Sequence, residues 1–454
     1  MSSSQLPPLP PLSPVVSFLS KGRITILVGI STPRLRTGFD LSEAIADRSC
    51  QGCADGVRVS RRCTCKGEGS LVADTAAVTV EAFGRPRIKP EHRAYRTVDG
   101  NVRVGSVIHG IGAEIADPRG WVWTLVEAMD GSRGPSEVVA EVLRGHPELS
   151  GADARQAMAD LLAAGFVDDA DASASLPPRE QDRYSRGVPL LRWMDLAPRT
   201  SPWDAQLRLR EARVLLVGVG GTGGHAAQAL VASGVGHVHC VDPDVVELSN
   251  LNRQPLYRES DLGRPKVEAA LATLRALNSD VTVTGERREV RGPEDLTELV
   301  AASALAGSPH DLLVLAADRP DAIRRWTNRA CLAAGLPWVD AGYRGPLVTA
   351  GVYVPGQGAC WECLREGEIA RRDLRLGPGQ DPESASPRMP WNPASAVTAG
   401  LSGALLAHAA LALLTGVPAM EPGFRFGVNL MLPGDPVHQR TPRRLDCPAC
   451  GERT

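Results

Sequence analysis

The chain has 454 residues, 43% of them hydrophobic and 22% charged, with a formal net charge of −2. That length holds two or three domains with a large buried core, and the near-neutral charge argues against nucleic acid or any other polyanion as a non-specific partner. Ten cysteines, several in CxxC pairs, point to metal or redox chemistry before disulfides, and with no basic-then-apolar secretory leader the expected location is cytoplasmic.

Residues 1–87 give the weakest signals. PPLPPLSP reads as a polyproline II segment, and Lys21 to Ile30 is compatible with one strand. Cys50-x-x-Cys53 and Cys63-x-Cys65 match no common zinc module and read as unligated cysteines.

From about Ile88 the pattern becomes regular. Tyr95 to Val98, the Asp99-Gly100 turn and Val102 to Val107 predict a β-hairpin. Trp121, Leu125, Ala128 and Met129 then share a helical face, Ser136 opens a second helix with Val139, Val142 and Leu143, and Ser150 with Asp153 caps a third. Ala157, Met158, Leu161 and Leu162 form the apolar stripe of that third helix, which Gly165 stops. Strands followed by three short helices predict a small α+β winged-helix domain over residues 88–175. The hairpin, its DG turn and the DLLAAGFVDD ending resemble the PqqD-type peptide-recognition element, and that resemblance implies capture of a leader peptide. A generic winged helix that only packs on its neighbour is the alternative. DNA is disfavoured, because Ser150 to Ala164 offers Arg155 alone against Asp153 and Asp160.

An Ala/Ser/Pro linker precedes the second domain, residues 180–454. Its centre is the stretch Arg213 to Lys266. A β-branched run, Val214 to Val217, leads into Gly218-x-Gly220-Gly221-x-Gly223, an alanine-rich helix, and a second strand ending at Asp242. That is a phosphate-cradling turn at a helix N-terminus, with an acid where a nucleotide ribose would lie. Asn250, Arg253 and Lys266 add one amide and two cations, more positive charge than a dinucleotide pyrophosphate requires, and so favour a triphosphate. The GxGGxG turn, the pair Asp242 and Asp244, the string SNLNRQ and the GRPK ending at Lys266 closely resemble the ThiF/MoeB/HesA family of ubiquitin-activating-type adenylyltransferases. The resemblance extends upstream to Arg183-Tyr184-Ser185-Arg186. There it implies that Arg186 reaches the triphosphate of a partner subunit, and hence a homodimer.

Beyond Lys266, Val267, Ala270, Leu271 and Leu274 predict an amphipathic helix, and Asp311 to Ala317 a buried strand. Asp318 closes that strand. The resemblance implies that it approaches magnesium and the phosphates, although Arg319 follows it where the family usually has Asn; an N-cap for a helix starting at Asp321 is the other role open to it. Cys360-x-x-Cys363 and Cys447-x-x-Cys450 supply four thiolates, the tetrahedral set of a structural zinc; their wide separation is ambiguous alone, but the same pairs flank the last third of ThiF/MoeB domains. From Leu364 to Asp446 there is no cysteine, whereas many relatives place a thioester-forming one on the crossover loop, here Glu366 to Pro390. Cys240 and Cys331 read as buried and inert. Asn392 to Val417 lacks Asp, Glu, Lys and Arg and is long enough to cross a bilayer, yet its Ala, Gly, Ser and Thr content, with His408 inside, reads as a helix buried in a large core rather than a membrane span.

The expected molecule is therefore an α/β protein with a Rossmann-like, ThiF-type nucleotide-binding domain and a structural zinc, preceded by the winged-helix domain. Its expected ligands are ATP, Mg²⁺ and Zn²⁺. Its expected activity is adenylation of a carboxylate, the C-terminus of a ribosomally made peptide, without an enzyme thioester. A sulfur-carrier or ubiquitin-like protein is the alternative substrate; a non-catalytic leader-peptide recruiter and an NAD-dependent oxidoreductase are the alternatives from other classes.

Overall fold

A computed structural model describes residues 27–28, 79–106, 109, 111–305, 307–371, 374–380, 392–432, 434 and 436–451. Cys50, Cys53, Cys63, Cys65, the PPLPPLSP segment and much of the crossover loop lie outside the described residues. The chain divides between Ala172 and Ser173 into two compact units, with Ala197–Thr200 counted in the first.

The first unit contains β1 (Leu27–Val28), β2 (Pro86–Ile88), β3 (Ala94–Arg96), β4 (Val102–Ser106), β5 (Ile111–Ile115), α1 (Trp121–Ala128), α2 (Pro135–Gly145), α3 (Gly151–Ala163) and β6 (Val167–Asp169). Strands run in the order β1-β5-β4-β3, all antiparallel, and β2 pairs separately with β6. Thus the hairpin turns at Gly100, whose φ of +81° suits glycine. It extends through β5, a strand too short for its alternating Ile111, Ala113 and Ile115 to stand out. The Ser150 hydroxyl accepts from the Asp153 N–H at 3.1 Å, a cap of about 1 kcal/mol. Leu125, Met129, Val142, Met158, Leu161 and Phe166 form its core. The acidic ending closes the unit: Arg87 forks onto Asp168 with two 3.1 Å hydrogen bonds, and Asp169 accepts from the N–H groups of Gly84 and Arg85. Burial works against ionisation of Asp169, but the N–H donors of Arg85, Gly84 and Asp171 outweigh it and hold its pKa below the usual carboxylate value.

The second unit contains α4 (Pro178–Tyr184), α5 (Gly187–Met194), α6 (Asp204–Glu211), β7 (Arg213–Val217), α7 (Gly221–Ala232), β8 (His237–Val241), α8 (Lys266–Leu277), β9 (Thr282–Glu286), α9 (Pro293–Leu305), β10 (Leu312–Leu315), α10 (Ile323–Ala334), β11 (Trp338–Arg344), β12 (Leu347–Tyr353), α11 (Trp361–Ala370), α12 (Ala396–Thr415), β13 (Phe424–Asn429) and β14 (Pro436–Arg440). They build one eight-stranded mixed sheet, order β14-β13-β12-β11-β10-β7-β8-β9. β11, β10, β7, β8 and β9 are parallel and β12 to β14 antiparallel. The order reverses between β7 and β10, the switch point where open α/β sheets bind ligands at the strands' carboxyl ends.

α12 is apolar and long enough to span a bilayer. It is instead a core helix. Leu406, Ala407, Ala409 and Ala410 are buried in the cluster that contains Val214, Leu216 and Val339. Its small residues admit α7 at close range: a Cβ on Gly403 would come within 2.6 Å of the Thr222 carbonyl oxygen, and Thr222 and Ser402 share a 2.5 Å hydroxyl contact. His408 is half-buried with its ring edge-on to Phe426, and burial lowers its pKa, as expected of a packed side chain rather than a ligand.

Candidate nucleotide site and cysteine cluster

The turn after β7 is built so that only glycine fits. Gly218 has φ +93°, and a Cβ there would lie 2.8 Å from the Ala317 nitrogen, while one on Gly223 would lie 1.9 Å from the Gly218 oxygen. The turn is held from below. Asp242, at the end of β8, accepts from the Val219 N–H at 2.8 Å and the Asp244 N–H at 3.0 Å, and the Tyr257 hydroxyl donates to the Val219 carbonyl at 2.7 Å. Burial raises the pKa of Asp242, with Lys266 and those two N–H donors opposing it. Asp242 therefore orders the turn, and Tyr257, which no motif flagged, shares that task.

Lys266 is buried and donates from Nζ to Asp244 Oδ2 at 2.8 Å, whereas the Asp244 side chain is 61% exposed. Asn250 is buried and accepts from the Glu247 N–H at 3.1 Å, fixing the bend after β8. Asp244, Asn250 and Lys266 line a pocket of about 330 Å³ with Glu247 and Arg287; Arg287 carried no motif and was missed. Arg253 lies against the turn, its Cγ 3.8 Å from where a Gly221 Cβ would sit, and its Nη1 donates to the Ser249 carbonyl at 2.8 Å.

Across the switch point, Asp318 is exposed after β10. Tyr343 on β11 joins it to Arg253: burial raises the Tyr343 pKa, the Arg253 charge and hydrogen bond lower it, and the Asp318 charge raises it. Asp318 is not a helix N-cap, the other role its position allowed. The Ile323 N–H turns back to the Pro320 carbonyl, and α10 is capped by Ala322. Arg186 immediately precedes α5 without a side-chain capping bond, is exposed, and is not among the pocket residues. Next to it, Tyr184 is buried and accepts from Asn278 at 3.0 Å, while Arg183 pairs with Asp280 at 3.0 Å. The glycine turn, Asp244, Asn250, Arg253, Lys266 and Asp318 thus gather at the carboxyl ends of β7, β8 and β10. The arrangement offers backbone N–H groups and cations to a polyphosphate and an exposed carboxylate to a cation.

The sulfur atoms of Cys360, Cys363, Cys447 and Cys450 all lie within 4.8 Å of one another, with separations of 3.8, 3.7 and 3.5 Å between neighbours. A disulfide would need about 2.05 Å. Four thiolates about 2.3 Å from one zinc stand about 3.8 Å apart at the edges of a tetrahedron, so the cluster fits zinc. The Arg444 N–H points at Cys363 Sγ, and the CWEC knuckle is pinned to α10 by a bidentate Arg329–Glu362 pair. All four positions are taken by cysteine, so a zinc bound there would have no site for water and would brace the fold. Cys240 and Cys331 are buried; desolvation pushes Cys240 up to about 12, aided by the nearby Asp242, and raises Cys331 also, so both remain protonated thiols.

The ThiF family model matches residues 194–448, more than half of the chain. The chain belongs to the ThiF family. It is therefore an adenylyltransferase of the ATP-using kind that this family comprises. Among sequence relatives it is 36% identical over 208 residues to the molybdopterin-synthase adenylyltransferase of Escherichia coli (strain K12), covering 45% of this chain and 76% of that one. It is 33% identical over 280 residues to the SAMP-activating enzyme E1 of Haloferax volcanii, covering 61% and 92%. Among solved structures, E. coli MccB superposes with a TM-score of 0.62 at 22% identity, over 81% of this chain and 97% of MccB. MccB in complex with N-formylated MccA gives 0.59. At that identity the likeness is one of fold. The family match starts at residue 194, so α4 and Arg186 precede it.

Proposed function

We propose that this ThiF-family adenylyltransferase activates the C-terminal carboxylate of a ribosomally made peptide, in the cytoplasm and as a homodimer, with residues 88–175 holding the peptide's leader. The observation that carries the reading is the convergence of the glycine turn, Arg253, Lys266 and Asp318 at the switch point of a sheet whose thiols are all either buried or clustered for zinc. The phosphates rest on the N–H groups at the start of α7. Asp244 takes the ribose beside the Asp242 that orders the turn, with Asn250 in the same pocket. Arg253, Lys266 and the partner protomer's copy of Arg186 draw off negative charge as the substrate carboxylate attacks the α-phosphorus and the bond to pyrophosphate breaks. Mg²⁺ would neutralise phosphate oxygens, and Asp318 is the residue placed to hold it.

Support for a peptide substrate comes from architecture. The likeness to MccB reaches 81% of this chain, further than the family match, and MccB has been solved with MccA. Among the described residues, the zinc cluster and the inert Cys240 and Cys331 leave no cysteine free to take the acyl group, so in this reading the adenylate passes to an external nucleophile or is released. A second reading, adenylation of a sulfur-carrier protein, is favoured by the names of the sequence relatives, among them a sulfur carrier protein adenylyltransferase from Thermus thermophilus that is 34% identical. NAD-dependent oxidation has no use for Arg253 and Lys266.

Exchange of labelled pyrophosphate into ATP distinguishes these. With candidate precursor peptides it should be peptide-dependent and should survive joint replacement of Cys240 and Cys331 by serine. Exchange driven by a sulfur-carrier protein and not by peptide would overturn the first reading in favour of the second. Loss of exchange in a folded Cys331→Ser variant would refute the cysteine-free route.

A further inference from the structure

Beyond β8 the pocket holds a second cation besides Lys266. Arg287 is the first residue after β9, and its Nε donates to the Pro243 carbonyl at 2.9 Å. That bond ties the guanidinium to the backbone between Asp242 and Asp244. The side chain is otherwise exposed, and its terminal nitrogens hydrogen-bond to none of the described residues.

The order of the strands says which part of a nucleotide lies there. β7, β8 and β9 are consecutive neighbours, spaced about 4.8 Å apart. The phosphates belong to the turn at the end of β7 and the ribose to the acids at the end of β8. A nucleotide laid in that direction carries its base onward past β8 toward β9, where Arg287 stands. Asp244 and Lys266 line the same pocket, so ribose and base ends are continuous. Arg253, which packs on Gly221, belongs to the opposite, phosphate end.

A guanidinium is planar, weakly hydrated and always charged, and it can cover the aromatic face of a base. We propose that Arg287 is the positioning residue for the nucleobase of the bound ATP. The proposal rests on the ATP reading above.

Calorimetry with ATP and with inorganic tripolyphosphate tests it on the full chain. Arg287→Ala should weaken ATP binding by about tenfold, the range of a well-placed cation on an aromatic face, and leave tripolyphosphate binding unchanged. Arg287→Lys, with the charge but not the plane, should recover little of the loss. Arg287 is exposed, so an unchanged melting temperature is expected and shows that the fold is intact. ATP affinity undiminished in Arg287→Ala would overturn the proposal, as would equal weakening of both ligands or full rescue by lysine. A native protein that binds tripolyphosphate but not ATP would instead remove the adenylation reading, a failure separate from any behaviour of the variants.

Discussion

Lys266 shows how one side chain serves both fold and chemistry. It begins α8, is buried, and meets an Asp244 carboxylate that water still reaches. Truncating it leaves Asp244 solvated, and the buried Asp242 loses a nearby cation but keeps the Val219 and Asp244 N–H donors, so the stability cost should be modest. The catalytic cost should be large, since a preorganised cation near a transferring phosphate acts on charge that grows in the transition state. Lys266→Ala is expected to lower kcat/KM in the exchange assay by about 100-fold, with a melting temperature only modestly below that of the native chain. A variant that melts far lower would assign Lys266 to the fold. Gly223 is the opposite case: a Cβ 1.9 Å from the Gly218 oxygen has nowhere to go, so that position governs the turn itself.

Two knuckles and the elements that carry them act as one unit. Cys360 and Cys363 open α11, while Cys447 and Cys450 follow β14, so metal binding joins the end of the sheet to the helix that leads into the crossover loop. The cysteine cluster also packs into the core that holds Leu313, Leu315 and Trp338. Because metal binding to such a set is folding free energy, elemental analysis should find one zinc per chain, and chelation should lower the melting temperature of the second unit. Cys447→Ser should reproduce that loss. Full stability without metal would show that packing alone braces this end. α12 illustrates a different economy of sequence: its glycines and alanines are there so that α7, and with it the phosphate-binding turn, approaches closely.

At the scale of the whole molecule the open question is what completes the site. Arg186 is exposed while its neighbours Arg183 and Tyr184 are tied down, an arrangement suited to reaching a second copy. If the sites are shared across a two-fold axis, mixing inactive Arg186→Ala and Lys266→Ala protomers creates heterodimers with one intact site. Exchange activity should then recover to about a quarter of the native value with random mixing. No recovery in a mixture shown to exchange subunits would confine Arg186 to its own protomer.

Glycine spacing, the acids after the second strand, the cations that follow and the two CxxC pairs were all legible in the sequence, because each is a local pattern dictated by backbone conformation or by ligand chemistry. That Asn392 to Val417 holds a helix packed on the core was legible too, from its small residues, which let α7 approach closely. Only the tertiary structure decided how those residues are used. Asp242 is turned toward the Val219 N–H, Lys266 toward Asp244, and Tyr257, Tyr343 and Arg287 reach the site from elements with no motif of their own. β5 shows a related limit in the fold: Ile111, Ala113 and Ile115 do alternate with Gly112 and Glu114, but a five-residue run with a central Gly-Ala is a short signal, and pairing with β4 and β1 makes it a strand. A motif records which chemistry a chain carries within a few residues; which side chains meet across strand order β10-β7-β8-β9 is set by pairing between residues far apart in sequence, and no local pattern encodes it.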